Sequence, residues 1–253
     1  MIGINQRSVA MMRLVGKVAI VTGGASGIGA TTVREMVKEG ANVLIADLNE
    51  EAGNKLADEL KNTVYLKTDI VAEEDVKNMI QKVDQTFGQL DILFNSAGIN
   101  VTEKRDQFAI DTVRRVIDVN LIGSMLASKY TLEIFKKMRN GSVINTSSIL
   151  GHVGQIRNLA YTASKSGIIN MTKTLALEYA KYNIRVNSIS PGFIKTSFTG
   201  HEEAIQQHLE SRVPLARLGE PEEVAKVVIF LASDDASYIT GADFKIDGGY
   251  LAK

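Results

Sequence analysis

The stretch that decides the fold is an apolar run followed by a glycine-rich turn, Lys17-Val18-Ala19-Ile20-Val21-Thr22-Gly23-Gly24-Ala25-Ser26-Gly27-Ile28-Gly29. The β-branched and apolar run is typical of a strand buried on both faces of a parallel sheet. A helix predicted from Ala30 to Lys38 follows and stops at Gly40. Glycines let a backbone approach a pyrophosphate, and a helix N-terminus offers free N–H groups with a partial positive charge. Strand, turn and helix therefore predict a nucleotide-phosphate cradle.

A second predicted strand, residues 42–46, strengthens this interpretation. It ends at Asp47, which lies 18 residues after Gly29. An acidic residue at about this distance can accept hydrogen bonds from both ribose hydroxyls of an adenosine. The glycine turn and Asp47 together predict dinucleotide binding.

Strands and helices alternate along the rest of the chain. Further strands are predicted at 64–67, 91–94, 142–146, 184–189 and 243–246, and the helices between them include 50–60, 72–87, 110–137, the helix carrying Tyr161, and 221–232. This alternation predicts an α/β fold: a single Rossmann-type, doubly wound parallel sheet of about seven strands with helices on both faces. We expect residues 16–253 to form this one domain and residues 1–15 to form a loosely ordered N-terminal leader.

Composition narrows the classes of partner. The 253 residues carry 29 basic and 29 acidic side chains, so neither nucleic acid nor an anionic membrane is an expected partner. The absence of cysteine fits a cytoplasmic protein, and no apolar run approaches the ~20 residues of a membrane span. His152, His201 and His208 lack a ligand spacing with carboxylates, so no metal site is predicted.

The segment Tyr161-Thr162-Ala163-Ser164-Lys165 opens another predicted helix. A four-residue separation places Tyr161 and Lys165 one turn apart on the same helix face. An ammonium about 4 Å from a phenol, at an effective dielectric near 20, contributes on the order of 4 kcal/mol. Such a contact lowers the pKa of the tyrosine, so that it can both take and give a proton. The alternative is an amphipathic helix with a snorkelling lysine.

Polar and glycine residues cluster at the carboxyl ends of the predicted strands, where ligands bind in such sheets. The motifs are the turn Thr22–Gly29, Asn95-x-Ala97-Gly98, Asn120, Ser148, Tyr161-x-x-x-Lys165 and Pro191-Gly192. Together they make the chain resemble the short-chain dehydrogenase/reductase family from Gly16 to the C-terminus. One departure is Ser96, where the family commonly has asparagine.

The resemblance implies an oxidoreductase that transfers a hydride between NAD(H) and a secondary alcohol or ketone. Tyr161 would be the general acid/base, Ser148 would bond the substrate oxygen, Lys165 would hold the nicotinamide ribose, and Asn120 would anchor a water beside the lysine. The implied cofactor-binding residues are Thr22, Gly23, Ser26, Gly27, Ile28, Gly29, Asp47, Leu48, Asp69, Ile70, Asn95, Ala97, Gly98, Tyr161, Lys165, Pro191, Gly192, Ile194 and Thr196.

Substrate identity is less constrained. Residues 193–218 are expected to form a lid over substrate and nicotinamide. The candidate substrate residues are Ser148, His152, Tyr161, Phe193 and Phe198. A small alcohol, ketone or sugar-type substrate is favoured.

Two alternatives to this function remain. One is a 3-oxoacyl-[acyl-carrier-protein] reductase. Such relatives present two arginines to the carrier; this chain has Arg139 at one place, but Tyr182 beside Lys181 at the other. The other alternative is a non-catalytic NAD-binding sensor, which would be expected to lose the tyrosine, lysine or serine that are present here.

The sequence also bears on the choice of cofactor and on the oligomeric state. Asp47 would face the extra phosphate of NADP, and Ser26 and Leu48 occupy the places where NADP-dependent relatives often carry a basic residue. Arg34 and Lys38 are predicted to face solvent or pair with Glu35 or Glu39. NAD(H) is therefore the predicted cofactor. The resemblance also implies a homotetramer, formed through helices at 110–137 and 159–181 that carry more apolar positions than one sheet face covers.

Overall fold

The computed structural model describes residues 12–102, 104, 107–197, 199 and 203–252. Its seven strands form one parallel sheet in the order β3-β2-β1-β4-β5-β6-β7. The strands are β1 Val18–Thr22, β2 Asn42–Asp47, β3 Thr63–Lys67, β4 Ile92–Asn95, β5 Gly141–Thr146, β6 Ile184–Pro191 and β7 Asp243–Ile246. The order reverses between β1 and β4, which creates a crevice at their carboxyl ends.

Eight α-helices in the described part of the chain connect the strands. They are α1 Gly27–Lys38, α2 Glu50–Glu59, α3 Glu73–Phe87, α4 Ile110–Ile117, α5 Gly123–Met138, α6 Leu159–Tyr179, α7 Glu203–Glu210 and α8 Pro221–Ala232. The predicted α/β fold with a seven-stranded parallel sheet is confirmed. Helix α1 begins three residues earlier than predicted, so that Gly27 and Gly29 lie in its first turn.

Successive residues of β1 are buried on opposite faces of the sheet. Ala19 and Val21 belong to the core that contains residues of α1 and α8. Val18 and Ile20 belong to the second core, which contains residues of α3 and α5. Because both faces are covered, every residue of β1 is buried, which explains its continuous apolar sequence.

The helix predicted at 110–137 is interrupted. Helices α4 and α5 are joined by a wider, π-helical turn at Asp118–Ile122, which contains the fully buried Asn120. The Asn120 side chain accepts a hydrogen bond from the Ile99 amide (2.8 Å) and donates to the Ile99 carbonyl and the Ser164 hydroxyl (3.0 Å each). Asn120 therefore ties the turn to the loop after β4 and to α6.

The folded part of the chain begins before the predicted boundary at residue 16. Leu14 is fully buried in the core, and the Arg13 guanidinium lies 2.8 Å from the Glu39 carboxylate. Arg13 and Leu14 therefore belong to the folded domain and not to the predicted leader; residues 1–11 lie outside the described part. In the described residues, no helix is both long and apolar enough to span a membrane.

Candidate active site

A cavity of about 680 Å³ lies at the carboxyl ends of β1, β2, β4, β5 and β6. It contains most of the predicted site: Thr22, Gly23, Ser26, Gly27, Ile28, Gly29, Asp47, Leu48, Asp69, Ile70, Ala97, Gly98, Ser148, Tyr161, Lys165, Pro191, Gly192, Phe193, Ile194 and Thr196 line it. These residues come from strand ends, from the turns that follow the strands, and from helices α1 and α6. The sheet therefore gathers side chains that are far apart in sequence onto one surface.

Glycines are required at the end of the cavity next to β1. Gly23 has φ +65°, and a Cβ on it would lie 2.7 Å from Ala97 Cα. A Cβ on Gly29 would lie 2.1 Å from the Gly23 carbonyl oxygen. The first-turn amides of α1 have no intrahelical acceptor, and the Ser26 side chain does not cap them. The bare backbone and these N–H groups suit a phosphate.

Asp47 presents a fixed carboxylate beside this cradle. One oxygen accepts the Ala25 amide (3.0 Å) and the other accepts the Asn49 amide (2.9 Å). The neighbouring side chain, Leu48, is 60% exposed and lines the cavity. The two backbone bonds hold the carboxylate against the glycine turn.

The basic residues of α1 are paired elsewhere. Lys38 pairs with Glu35, as predicted. Arg34 pairs with Glu59 at 2.6 Å, which the sequence analysis did not foresee because Glu59 comes from α2. Neither cation is among the residues that line the cavity.

Tyr161 and Ser148 meet on one wall of the cavity. Ser148 follows β5, and Tyr161 lies in the first turn of α6. Burial raises the pKa of Tyr161 to about 12, an effect that a hydrogen bond with the Ser148 side chain partly offsets. The predicted lowering of this pKa by Lys165 is not seen in this arrangement, because loss of solvation is the larger effect.

Lys165 lies one turn further along α6. Burial lowers its pKa to about 8, which leaves the amine mostly protonated at neutral pH. Its Nζ donates to the Thr146 carbonyl (2.7 Å) and lies 5.6 Å from the centre of the Tyr161 ring. The lysine is thus held between the end of β5 and the tyrosine.

Asn120 approaches the cavity from behind and is not among its lining residues. A Cβ on Gly98 would lie 3.3 Å from Asn120 Oδ1 and 3.5 Å from Lys165 Nζ. Asn120 and Lys165 therefore both lie next to Gly98. Because glycine has no side chain, nothing at this position separates them.

Two predicted site residues, Asn95 and His152, do not line the cavity. Asn95 is buried away from the cavity lining, and its Nδ2 donates to Ser128 Oγ (3.1 Å) and Asn145 Oδ1 (2.8 Å). It organises the sheet end from within. His152 also does not line the cavity, because its imidazole turns away to the Asp243 carboxylate (2.9 Å). Phe198, the remaining substrate candidate, lies outside the described residues.

Several cavity residues were not found from sequence. They include Thr68, Asn100, Arg115, Leu150, Gln155, Asn158, Ile205 and Leu209. Two of them carried a usable signal: Ile205 and Leu209 are four residues apart on α7, the helix inside the predicted lid. The sequence around Arg115 gave no such indication, because only the packing of α4 brings this residue beside the cavity.

A doubly wound sheet with a glycine cradle at its switch point, and a tyrosine and lysine one helix turn apart, defines a dinucleotide-dependent oxidoreductase. The chain belongs to the short-chain dehydrogenase/reductase family, as predicted: residues 23–251 match the family model described as Enoyl-(Acyl carrier protein) reductase. Members of this family use nicotinamide cofactors, and the chain is an oxidoreductase of alcohol and ketone substrates.

The names of similar proteins indicate different substrates. The chain is 41% identical over 246 residues to the 3-oxoacyl-[acyl-carrier-protein] reductase FabG of Thermotoga maritima, covering 95% of this chain and 100% of the relative. It is also 41% identical over 244 residues to cyclohexanol dehydrogenase of Acinetobacter sp., covering 94% and 96%. The solved structure titled "Crystal structure of gox2181" is 32% identical, with a TM-score of 0.92 and coverage of 96% and 98%. Because the chain is equally identical to a carrier-protein reductase and to an alcohol dehydrogenase, sequence identity does not distinguish between their substrates.

Proposed function

We propose that this protein is an NAD(H)-dependent dehydrogenase of a small secondary alcohol, or reductase of the matching ketone, with Tyr161 as its general acid/base. The observation that carries the proposal is the meeting of Tyr161, Ser148 and Lys165 in one cavity with the glycine cradle and Asp47. Acid/base groups and a dinucleotide-shaped surface are both needed for reversible alcohol oxidation.

The described residues fit the cofactor. The glycine turn and first-turn amides of α1 would hold the pyrophosphate, and Asp47 would accept hydrogen bonds from the adenosine ribose. Lys165 would donate to the nicotinamide ribose, and Pro191, Gly192 and Thr196 line the same cavity. When bound, the cofactor supplies or accepts the hydride.

The chain's own residues handle the proton. The Ser148 hydroxyl donates a hydrogen bond to the substrate oxygen where charge develops. Tyr161 gives its proton to that oxygen in reduction and takes it in oxidation. The Lys165 ammonium favours the phenolate that forms once the proton has left.

One surface feature favours the second candidate, a 3-oxoacyl-[acyl-carrier-protein] reductase. Three cations surround the Tyr182 ring: Lys136, Lys181 and Arg139 lie 5.1, 5.2 and 6.0 Å from its centre. Arg139 also donates to the Lys181 carbonyl (3.0 Å). An acidic carrier protein would find complementary charge on this cationic cluster of residues 136, 139, 181 and 182. The exposed cluster lies apart from the cavity and says nothing about the reacting group.

A substrate panel separates the two candidates. The purified protein is assayed by NADH absorbance with cyclic and acyclic secondary alcohols, their ketones, and an acetoacetyl thioester of a carrier protein. We expect turnover of a small alcohol/ketone pair with NAD(H). Preferential turnover of the carrier thioester would support the second candidate, and bound NADH without turnover of any compound would favour the sensor.

We also propose a homotetramer. Apolar side chains remain exposed on the helices expected to pair, among them Ile110, Ile122, Met125, Leu159 and Leu177. Leu177 on α6 is 84% exposed, and a second copy that covered it together with the other exposed apolar side chains would bury a larger apolar area.

Light scattering at micromolar concentration tests the assembly. The unaltered chain is expected to give four times the monomer mass, and Leu177→Glu is expected to reduce that mass because it places a charge in the interface. Tyr238→Ser is the matched control, since Tyr238 is also exposed but lies outside these helices. A monomeric mass for the unaltered protein would contradict the proposal.

A further inference from the structure

We infer that His152 is a positioning residue of the active site, which fixes the turn carrying Ser148 by bonding Asp243 on β7. The inference rests on the proposed role of Ser148. His152 Nε2 lies 2.9 Å from Asp243 Oδ2 and 3.2 Å from Ser190 Oγ. The Asp243 side chain is 10% exposed and the His152 side chain is 25% exposed, so the carboxylate end of this contact is largely enclosed.

Asp243 is itself firmly held. It begins β7 and is the register partner of Ser188 on β6. The Ser188 hydroxyl donates to Asp243 Oδ1 (2.6 Å), and the Ser190 hydroxyl lies 3.0 and 2.9 Å from the two carboxylate oxygens. Both serines are fully buried. A carboxylate oxygen accepts more than one hydrogen bond, so Oδ2 can also accept His152.

A short turn connects His152, and so its contact with Asp243, to Ser148. The 3₁₀ turn Ile149–Gly151 joins Ser148 to His152. The Gly151 amide donates to the Ser148 carbonyl (2.8 Å), and the His152 amide donates to the Ile149 carbonyl (3.0 Å). The Leu150 amide donates to Ser148 Oγ itself (3.1 Å). Moving His152 therefore changes the bonds that orient the serine hydroxyl.

Residues 147–151 are also attached to α6, at both ends of the segment. The Ser147 hydroxyl donates to the Lys165 carbonyl (2.8 Å), and the Ser166 hydroxyl donates to the Gly151 carbonyl (2.9 Å). Only His152 connects the turn to β7 among the side-chain hydrogen bonds of the described residues. Without it, the turn keeps its attachment to the tyrosine's helix but loses its attachment to the sheet edge.

The cluster is not a second nucleophilic site. A serine–histidine–aspartate relay needs the serine on one ring nitrogen and the carboxylate on the other. Here Ser190 and Asp243 both lie on Nε2, and Ser190 is fully buried. The geometry of the cluster therefore suits a structural hydrogen-bond network and does not suit a catalytic triad.

Replacing His152 tests this role. His152→Ala is expected to lower kcat by about tenfold, since small displacements of a reacting group are costly, and to leave KM for NAD within about twofold because the cofactor cradle belongs to β1 and α1. His152→Gln can still donate from Nε2 to the carboxylate and is expected to restore most of kcat. Val153→Ala is the matched control on the neighbouring, exposed residue.

Hydrogen exchange gives a readout that needs no turnover. Exchange of the Leu150 and Gly151 amides is expected to rise in His152→Ala and to stay unchanged in Val153→Ala. The inference is overturned by an unchanged exchange rate, by a kcat within twofold of the unaltered protein, or by a glutamine variant no better than alanine. If the unaltered protein turns over no substrate, the proposed function fails, while the exchange measurement still decides whether His152 holds the turn.

Discussion

Replacing Tyr161 by phenylalanine is expected to slow turnover by a factor on the order of 10²–10⁴ while NADH still binds. The substitution removes only the hydroxyl, so the ring keeps its place in the first turn of α6. Turnover is measured by NADH absorbance on the best substrate of the panel, and binding by fluorescence titration with NADH. The two measurements separate the loss of a proton donor from a loss of the cofactor site.

Tyr179→Phe is the matched control. Tyr179 is the last residue of the same helix, its ring contacts Tyr182, and it does not line the cavity. Its variant should turn over within about twofold of the unaltered protein. Near-normal turnover by the Tyr161 variant would show that another group moves the proton.

The state of Tyr161 before ligands bind favours one direction of proton transfer. With a pKa of about 12, the phenol is protonated at neutral pH and ready to give a proton to a ketone oxygen. Oxidation needs the phenolate, which the enclosed site disfavours. The hydrogen bond with the Ser148 side chain opposes this effect of burial by lowering the pKa of Tyr161. Removing the hydroxyl is therefore expected to affect both directions.

The fold could be predicted from sequence because its signals are local. The apolar run of β1, the glycines and the start of α1 are adjacent, and their geometry depends on their own backbone. Most of the residues predicted to bind the cofactor line one cavity, since strand ends in a parallel sheet meet at one edge.

The contacts that could not be predicted from sequence join side chains that are far apart along the chain. His152 stands four residues after Ser148, yet it bonds Asp243, 91 residues away. Asn95 pairs with Asn145, 50 residues away. The pKa of Tyr161 depends on enclosure by several elements at once, so helix spacing alone gave the wrong direction of its shift.

Cofactor choice is expected to favour NAD(H) over NADP(H) by at least ~100-fold in kcat/KM. The Asp47 carboxylate would lie against the extra phosphate of NADP, and one like-charge contact at roughly 4–5 Å with an effective dielectric near 20 costs ~3–4 kcal/mol, a few hundred-fold in affinity. Its position is fixed by the Ala25 and Asn49 amides, so it cannot swing away without breaking two hydrogen bonds. Nearby cations are engaged: Arg34 pairs with Glu59, and Lys67, the register partner of Asp47, lies 3.5 Å from Glu50.

Exchanging the charges at this position should reverse the preference. The double variant Asp47→Ala with Leu48→Arg removes the repulsion and supplies a guanidinium, which binds phosphate well, so the ratio of kcat/KM for NAD(H) to that for NADP(H) should narrow or invert. Glu51→Ala is the control: it removes an exposed carboxylate four residues away that does not line the cavity, and the ratio should not change. Steady-state kinetics with both cofactors on one substrate measures the ratio in all three proteins. Comparable efficiency with both cofactors in the unaltered protein would show that Asp47 does not face the adenosine ribose.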